Sequence, residues 1–312
     1  MHTNTKIRIG TRQSHLALVQ TNLIIKAMRL NEHEYSIIPI VSTGDTTKGL
    51  LRNQGGKALF AKELHQALLD NNIDIAVHSM KDLETPLPEG LAIGAIAKRE
   101  DPRDAIIFKK ELDWNNLNNK NISIGTASLR REKFLQFYLS KNCTIMPCRG
   151  NIQTRINKLK NNEFDAITLA VAGLKRSKIL HNGELQNLED FSYHIFNTET
   201  FVPASGQGAL AVVKRSHDNT CNDLLNKINH QSSVEEIQIE RYFLEKINAT
   251  CHDAIGAFAY IYNLEFYFNV MFFDHLLSPL SLGIGGKLTN KHELLDNLLD
   301  TFKKACEFRK NG

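Results

Sequence analysis

The sequence predicts an α/β protein with two similar lobes, each a mixed, mostly parallel sheet, followed by a small α+β carboxyl-terminal domain. Three observations predict this fold class. β-prone runs alternate with amphipathic helical stretches through residues 1–98, and the alternation returns after a charged, proline-containing junction at 99–104. From about residue 219 the pattern changes to helix, two apolar strands and a closing helix. Strands that alternate with helices favour parallel pairing, because each helix returns the chain to the starting edge of the sheet.

The first lobe begins with a strand followed by a helix, and Ser14 is placed to cap that helix. The predicted elements of the lobe are strands at 6–10, 35–41, 74–82 and 91–97 and helices at 16–30 and 58–69. The polar segment 42–56 has four glycines and no periodicity. This composition is typical of a mobile loop or lid, and a disordered surface loop is the alternative.

The second lobe repeats this plan. Its predicted elements are strands at 121–125, 143–148 and 164–171 and helices at 129–140 and 152–160. A strand at the end of 201–214 has no lobe of its own around it, so we expect it to cross back into the first sheet. The predicted domains are 1–98 with 200–218, 99–199, and 219–312; the last contains helices at 232–246 and 291–309 and strands at 257–262 and 266–273.

The composition is that of a globular protein, and we expect it to lie in the cytoplasm as a monomer. Its 312 residues are 42% hydrophobic and 23% charged, without an apolar run long enough to span a membrane or a signal segment at the start. The net charge of +4 is small for a nucleic-acid-binding protein. The five cysteines are odd in number and lack a CxxC pair, which predicts neither a disulfide framework nor a zinc site.

The stretch DIAVHSMKD, residues 74–82, places a cation and a carboxylate at the end of a buried strand. In α/β proteins that edge of the sheet holds the chemistry. Lys81 and Asp82 would point to opposite faces on extended backbone. We expect a turn instead, because Pro86 and Pro88 follow and exclude a regular helix.

Arginines stand at three strand-to-helix junctions, where the positive end of the helix dipole disfavours cations. Forked guanidinium donors beside a helix N-terminus suit carboxylate or phosphate groups. We therefore expect a site for a small polyanion between the lobes. The cations expected to line it are Arg12, Lys81, Arg130, Arg131, Arg149, Arg155 and Arg176. Separately, Cys251 lies in a polar loop, where a thiol can be a nucleophile if a nearby cation lowers its pKa.

Seven motifs, taken together in this order, resemble the porphobilinogen deaminase, or hydroxymethylbilane synthase, family over residues 7–256. They are GTRQSHLAL, VHSMKD, EDPRDA, IGTASLRR, CRGNIQTR, DAITLAVAGLKR and PASGQGA. The resemblance implies two periplasmic-binding-protein-like lobes and a small α+β domain. It also implies that the 42–56 stretch, with Lys57 behind it, is the family's mobile loop.

The resemblance implies a transferase of haem biosynthesis that joins four porphobilinogen molecules head to tail, with loss of ammonia at each step. Its dipyrromethane cofactor would be bound through a thioether to Cys251, and Asp82 would be catalytic, holding pyrrole N–H groups and moving protons. The other implied cofactor contacts are Lys81, Asp82, Thr126, Ser128, Arg130, Arg131, Arg149 and Gly150. The implied substrate contacts are Arg12, Ser14, Arg149, Arg155 and Arg176.

Two departures from the family pattern are visible. Ala249, Thr250 and Ala254 stand where the family has GG before the cysteine and a proline after it, and Ala127 replaces a common serine. Two alternatives stay open: a two-lobed anion-binding or effector-sensing module without catalysis, and a paralogue that binds pyrroles without turnover.

Overall fold

The computed structural model describes residues 6–41, 61–112, 121–139, 143–249, 253–274 and 278–311, and the statements below concern these ranges. The strands are β1 (Ile7–Arg12), β2 (Tyr35–Ile40), β3 (Ile75–Ser79), β4 (Leu91–Ile96), β5 (Asp104–Lys109), β6 (Ile122–Thr126), β7 (Cys143–Pro147), β8 (Ala166–Ala170), β9 (Leu180–His181), β10 (Glu184–Leu185), β11 (Phe191–Ile195), β12 (Leu210–Arg215), β13 (Ala254–Tyr262), β14 (Glu265–Phe273) and β15 (Leu280–Lys287). The helices are α1 (His15–Met28), α2 (Lys62–Leu69), α3 (Leu129–Tyr138), α4 (Ile152–Lys160), α5 (Val171–Arg176), α6 (Asn222–Ile228), α7 (Gln231–Lys246) and α8 (Lys291–Asn311).

The chain divides into two compact units. The first unit is Met1–Glu100 with Ala209–Glu235, and the second is Asp101–Gly208 with Glu236–Gly312. The boundary near residue 100 falls in the charged junction that was predicted to separate two lobes. The finer division into three domains remains a prediction.

The sheet of the first unit has the strand order β2-β1-β3-β12-β4. β1 pairs in parallel with β2 and β3, whereas β12 is antiparallel to both β3 and β4. Four strands therefore run one way and β12 runs the other. The predicted return of the 201–214 segment into the first sheet is confirmed by this pairing.

The second unit repeats the topology with the order β11-β5-β8-β6-β7. β6 pairs in parallel with β7 and β8, and β5 is antiparallel to β8 and β11. In each sheet the single reversed strand is the one formed just after the chain enters that unit. These mixed sheets, flanked by helices, confirm the α/β fold class.

A third sheet, β13-β14-β15, is antiparallel throughout. The β13 and β14 pair was predicted, but β15 was not. Three of the eight residues of β15 are glycines, which weaken a strand pattern in the sequence. The strands β5 and β11 and the short hairpin of β9 and β10 also went unpredicted.

Each unit has its own apolar core. In the first unit, Ile75 and Val77 of β3 pack with Ile24 and Met28, which lie on the inward stripe of α1. In the second unit, the Phe134 ring lies 4.7 Å from the Phe201 ring in a cluster of buried aromatic residues. Among the helices in the described ranges, none combines the length and apolarity needed to cross a bilayer.

Candidate functional site

The carboxyl edge of the first sheet brings together two segments that are far apart in the sequence. β1 and β3 are parallel neighbours, with Ile9 opposite Ile75 and Gly10 opposite Ala76. Their last residues, Arg12 and Ser79, therefore end at the same edge of the sheet. This pairing places the start of α1 beside the Lys81–Asp82 pair.

Side chains hold the N-terminus of α1 against the end of β1. Ser14 is the N-cap, as predicted, and its side chain accepts a hydrogen bond from Ala17 N at 3.3 Å. Thr21 Oγ1 donates to Thr11 Oγ1 at 2.7 Å, and both residues are fully buried. Arg12 therefore lies between the end of β1 and the capped start of α1, and both elements fix its backbone.

The chain turns immediately after β3, as its prolines predicted. Met80–Asp82 form one turn of 3-10 helix, closed by a hydrogen bond from Leu83 N to Met80 O at 3.2 Å. Met80 is buried and its N–H donates to Ala209 O at 3.0 Å, which ties the turn to the segment that leads into β12. The turn removes Lys81 and Asp82 from the strict alternation of a strand.

A small pocket of about 70 Å³ lies at this edge. Its lining residues are Arg12, Ser14, Leu16, Ala17, Gln20, Ala61, Val77, His78, Ser79 and Asp82. Three predicted site residues, Arg12, Ser14 and Asp82, thus line one pocket. Arg12 supplies a cation to it and Asp82 a carboxylate. Lys81 is not among the described residues that line it.

Gln20, Ser79 and His78 are pocket residues that the sequence analysis did not select. Gln20 Nε2 donates to Ser79 Oγ at 3.0 Å, which links α1 to the end of β3. The His78 ring is tilted against the His65 ring at a centroid distance of 5.4 Å. Burial, with smaller effects from His65 and Arg12, lowers the pKa of His78 to about 3, so its imidazole is uncharged near neutral pH.

Other residues predicted to contact the cofactor or the substrate follow the strands at the carboxyl edge of the second sheet. β7, β6 and β8 are adjacent and parallel. Thr126 ends β6 and is buried, and its Oγ1 accepts from Ser128 N at 3.3 Å. Ser128 caps α3 by accepting from Arg131 N at 3.4 Å, and Asn151 caps α4 by accepting from Thr154 N at 2.8 Å.

Arg130 and Arg131 lie in the first turn of α3, and both guanidiniums pair with one buried carboxylate. Asp104 has no exposed surface; Arg130 Nη2 lies 2.7 Å from its Oδ2, and Arg131 Nε lies 2.9 Å from its Oδ1. Gln207 Nε2 also donates to Asp104 Oδ1, at 3.0 Å. The rings of Phe134 and Phe201 flank Arg130, each with its centroid 5.7 Å from the guanidinium carbon.

Asp104 explains why two cations stand at a helix N-terminus. Burial would by itself raise the pKa of Asp104, but Arg130, Arg131 and the Gln207 amide outweigh it and hold that pKa below its ordinary value. The cluster of two cations and one anion keeps one net positive charge. Contact of Arg130 and Arg131 with a ligand remains a prediction, and the structure shows both side chains already bound to Asp104.

The remaining predicted residues of this edge follow β7 and α5. Arg149 and Arg155 are half-buried, and Arg155 Nε donates to Gly150 O at 2.8 Å. Gly150 has φ of +111°, and a Cβ there would lie 2.6 Å from Thr154 Cγ2, so this position requires glycine. Arg176 Nη2 donates to Gly208 O at 2.6 Å.

Two predicted features lie outside the described residues: Cys251 and the 42–57 segment. Two further residues that the structure connects to the predicted ones, Asp104 and Gln207, are inside the motifs EDPRDA and PASGQGA. Neither was selected, because a lone acid or amide in a turn carries no periodic signal. Their motifs were the available clue.

Comparisons with known proteins agree with these motifs. Residues 7–223 match the family model described as porphobilinogen deaminase, dipyromethane cofactor binding domain. The porphobilinogen deaminase of Rickettsia canadensis (strain McKiel) is 41% identical over 256 residues, which is 81% of this chain and 82% of the relative. That of Listeria monocytogenes serovar 1/2a is 44% identical over 257 residues, 81% of each.

A solved periplasmic binding protein of Salmonella typhimurium with high arginine specificity aligns with a TM-score of 0.42 at 12% identity. The alignment covers 73% of this chain and 93% of that one. The family match is the stronger finding, and it confirms the resemblance stated from the seven motifs and the dipyrromethane cofactor implied by it. The chain belongs to the porphobilinogen deaminase family.

Proposed function

We propose that this chain condenses four porphobilinogen molecules head to tail, releasing one ammonia per condensation, and that one water then cleaves the tetrapyrrole from its primer as hydroxymethylbilane. Family membership makes it a transferase of tetrapyrrole biosynthesis. The observation that carries the finer proposal is the pocket of the first unit, in which Arg12, Ser14 and Asp82 lie together at the end of β1 and β3. A cation and a carboxylate side by side suit a substrate that is both acidic and an N–H donor.

Arg12 binds the acidic side chains of the substrate in this proposal. Each pyrrole unit carries an acetate and a propionate, and a guanidinium can hold a carboxylate through two parallel N–H donors. Arg12 ends β1, next to the capped N-terminus of α1, so its backbone is fixed before the ligand arrives. The backbone at Arg12 then needs no ordering on binding.

Asp82 performs the chemistry. Its carboxylate accepts a hydrogen bond from a pyrrole N–H and stabilises positive charge as it develops on the ring when ammonia leaves. The same group then takes the proton that the pyrrole α-carbon releases once the new carbon–carbon bond has formed. The 3-10 turn holds Asp82 on rigid backbone, because Met80 is buried and hydrogen-bonded beside it.

The dipyrromethane group would supply the acidic primer to which each unit is added. Cys251 would hold it through a thioether. The residues proposed to contact it are Lys81, whose ammonium suits its carboxylates, and Asp82, whose carboxylate suits its pyrrole N–H groups. The other proposed contacts are Thr126, Ser128, Arg130, Arg131, Arg149 and Gly150. The described residues fit an acidic group, since the Arg130, Arg131 and Asp104 cluster keeps one net positive charge. Arg155 and Arg176 would bind substrate.

Intact-protein mass spectrometry tests the proposal. We expect the protein as purified to carry the mass of two deaminated porphobilinogen units and to release four ammonia molecules per tetrapyrrole. Cys251→Ser should lack both the added mass and the activity. Cys306→Ser, which changes a half-buried thiol of α8, is the matched control and should keep both.

The same experiment separates the proposal from a binding module without catalysis. Such a module would bind porphobilinogen but would carry no covalent addition on Cys251 and release no ammonia. A protein without added mass that still binds the pyrrole would therefore overturn the proposed reaction.

A further inference from the structure

His78 is a buried polar residue in the wall of the pocket, and the proposed reaction leaves it without a role. It is 6% exposed and lines the pocket together with Arg12 and Asp82. Its Nε2 atom has no hydrogen-bond partner among the described residues. An orphaned polar atom in a protein interior is unfavourable and calls for a partner such as a ligand or a water molecule.

Burial keeps the ring of His78 uncharged, and His65 and Arg12 add smaller effects in the same direction. His65 of α2 faces it at 5.4 Å, Arg12 of β1 is close enough to lower its pKa, and Asp82 follows on the next turn. His65 Nδ1 lies 3.4 Å from Glu84 Oε1, so Glu84 faces the other ring of the pair. A neutral imidazole has one N–H donor and one acceptor nitrogen.

We propose that His78 is a ligand-binding residue that donates its ring N–H to the same substrate carboxylate that Arg12 holds. An ionised carboxylate only accepts hydrogen bonds, so it can take an N–H from both side chains at once. Asp82 is the acidic residue among those described as lining the pocket, and it makes no hydrogen bond to His78 Nε2. This inference rests on the proposed function for the identity of the ligand, a pyrrole with acetate and propionate side chains.

An uncharged donor suits this position. A protonated imidazole beside Arg12 would add like-charge repulsion and would also attract the Asp82 carboxylate away from its pyrrole N–H. A neutral N–H adds a directional contact without those effects. It also favours ligands that bear an acid at this point of the ring over ligands that do not, since the buried donor stays unsatisfied with the latter.

Substitutions at His78 test the contact. We expect His78→Phe to raise KM for porphobilinogen about tenfold, the effect of one lost hydrogen bond, with kcat within about threefold of wild type. A glutamine amide lies near the Nε2 position and an asparagine amide near the Nδ1 position. Because Nε2 is the atom without a partner, His78→Gln should restore most of the affinity and His78→Asn should not. Rescue by asparagine alone would overturn the contact through Nε2.

The matched control is His65→Phe. It replaces the neighbouring ring, and His65 is not among the described residues that line the pocket. We expect its KM to stay within about threefold of wild type. An equal rise in KM for both variants would assign the effect to the packing of the ring pair and overturn the proposal.

A second measurement does not depend on turnover or on a folded variant. Wild-type protein with ¹⁵N-labelled imidazole rings is titrated at low temperature with porphobilinogen and, separately, with 2-aminomethylpyrrole, which lacks both acid groups. We expect the neutral ring of His78 to shift with porphobilinogen only. An unmoved His78 signal, or the same shift with both probes, overturns the proposal.

Failure of the proposed reaction can be distinguished from failure of the proposed His78 contact. Absence of ammonia release with a His78 shift specific to porphobilinogen would overturn the proposed reaction and keep the carboxylate contact. Normal turnover with an unchanged KM in His78→Phe and no His78 shift would keep the reaction and overturn the contact.

Discussion

Arg131 donates its Nε–H to Asp104 Oδ1 across 2.9 Å in the interior of the second unit. The pairing joins the first turn of α3 to the first residue of β5. Gln207 donates to the same oxygen, and the loop that carries Gln207 is held by Glu240, which accepts from Gly206 N at 2.7 Å. A run of buried polar contacts thus connects three of the motifs that place the chain in its family.

Replacement of Asp104 tests how far the buried cluster depends on its single anion. Asp104→Asn leaves two buried guanidiniums without a compensating charge, so we expect a loss of about 3–5 kcal/mol in the free energy of unfolding. Urea unfolding measures it. The control is Glu163→Gln, which removes the acid of a solvent-exposed pair with Lys158 at 3.8 Å and should cost less than about 1 kcal/mol. Equal losses in the two variants would show that burial of Asp104 does not matter.

The stability of the protein should fall as pH drops from 6.5 towards 4, and His78 should be one cause. Burial lowers the pKa of His78 from its ordinary 6.5 to about 3. Between these values the unfolded chain binds a proton that folded His78 does not, so stability from this group is present above pH 6.5 and is lost as pH falls. The expected loss by pH 4 is about 3 kcal/mol.

Urea unfolding at pH 6.5 and pH 4 checks this dependence. His78→Phe should show a smaller difference between the two pH values than wild type. His217→Gln changes an exposed histidine and should keep the wild-type difference. The pKa of Asp104 is lowered below 3.8, so its own contribution declines only at still lower pH. A wild-type slope in His78→Phe would contradict the assignment.

Asp82→Asn should fold normally and lose most turnover. The amide keeps the size of the side chain but can neither take a proton nor balance positive charge, so we expect a fall in kcat of about 10²–10⁴. Ammonia release is the measurement, with intact mass used to confirm the covalent addition on Cys251. Glu89→Gln alters an exposed carboxylate that follows the same turn and should leave kcat unchanged. Near-normal ammonia release from Asp82→Asn would remove Asp82 from its proposed role.

Gly150→Ala should disturb the loop between β7 and α4. Its φ of +111° strains any side chain, and the new Cβ would meet Thr154 Cγ2 at 2.6 Å. We expect a stability loss of about 2–3 kcal/mol. Gly183→Ala is the matched control: its φ is +82°, but no atom lies within 4 Å of its Cβ position, so it should show the strain without the clash, about 1 kcal/mol. Similar losses would mean that Thr154 can move aside.

Much of the fold could be predicted because strands and helices in this chain have periodic apolar faces. The N-cap Ser14 could be predicted because capping is a local contact between neighbouring residues. The strand β15 was not readable, because Gly283, Gly285 and Gly286 contribute no side chain to an alternating pattern.

Some features of the candidate site could likewise be predicted from the sequence, and others could not. The unusual position of Arg130 and Arg131 was visible in the sequence, but their common partner was not, because Asp104 is 26 residues from Arg130 along the chain. His78 was likewise hidden: in the sequence it is one residue of a buried strand, and only packing brings α2 and its His65 against it.

The amino-acid sequence by itself determined the α/β class, the order of the main elements and the family, because apolar periodicity, caps and linear motifs are properties of the chain read in one direction. Only the tertiary structure decided which charges are compensated and which polar atoms have partners. Burial and hydrogen bonding depend on atoms brought together from distant segments, as in the pairing of Arg131 with Asp104 and the pocket shared by Arg12, His78 and Asp82.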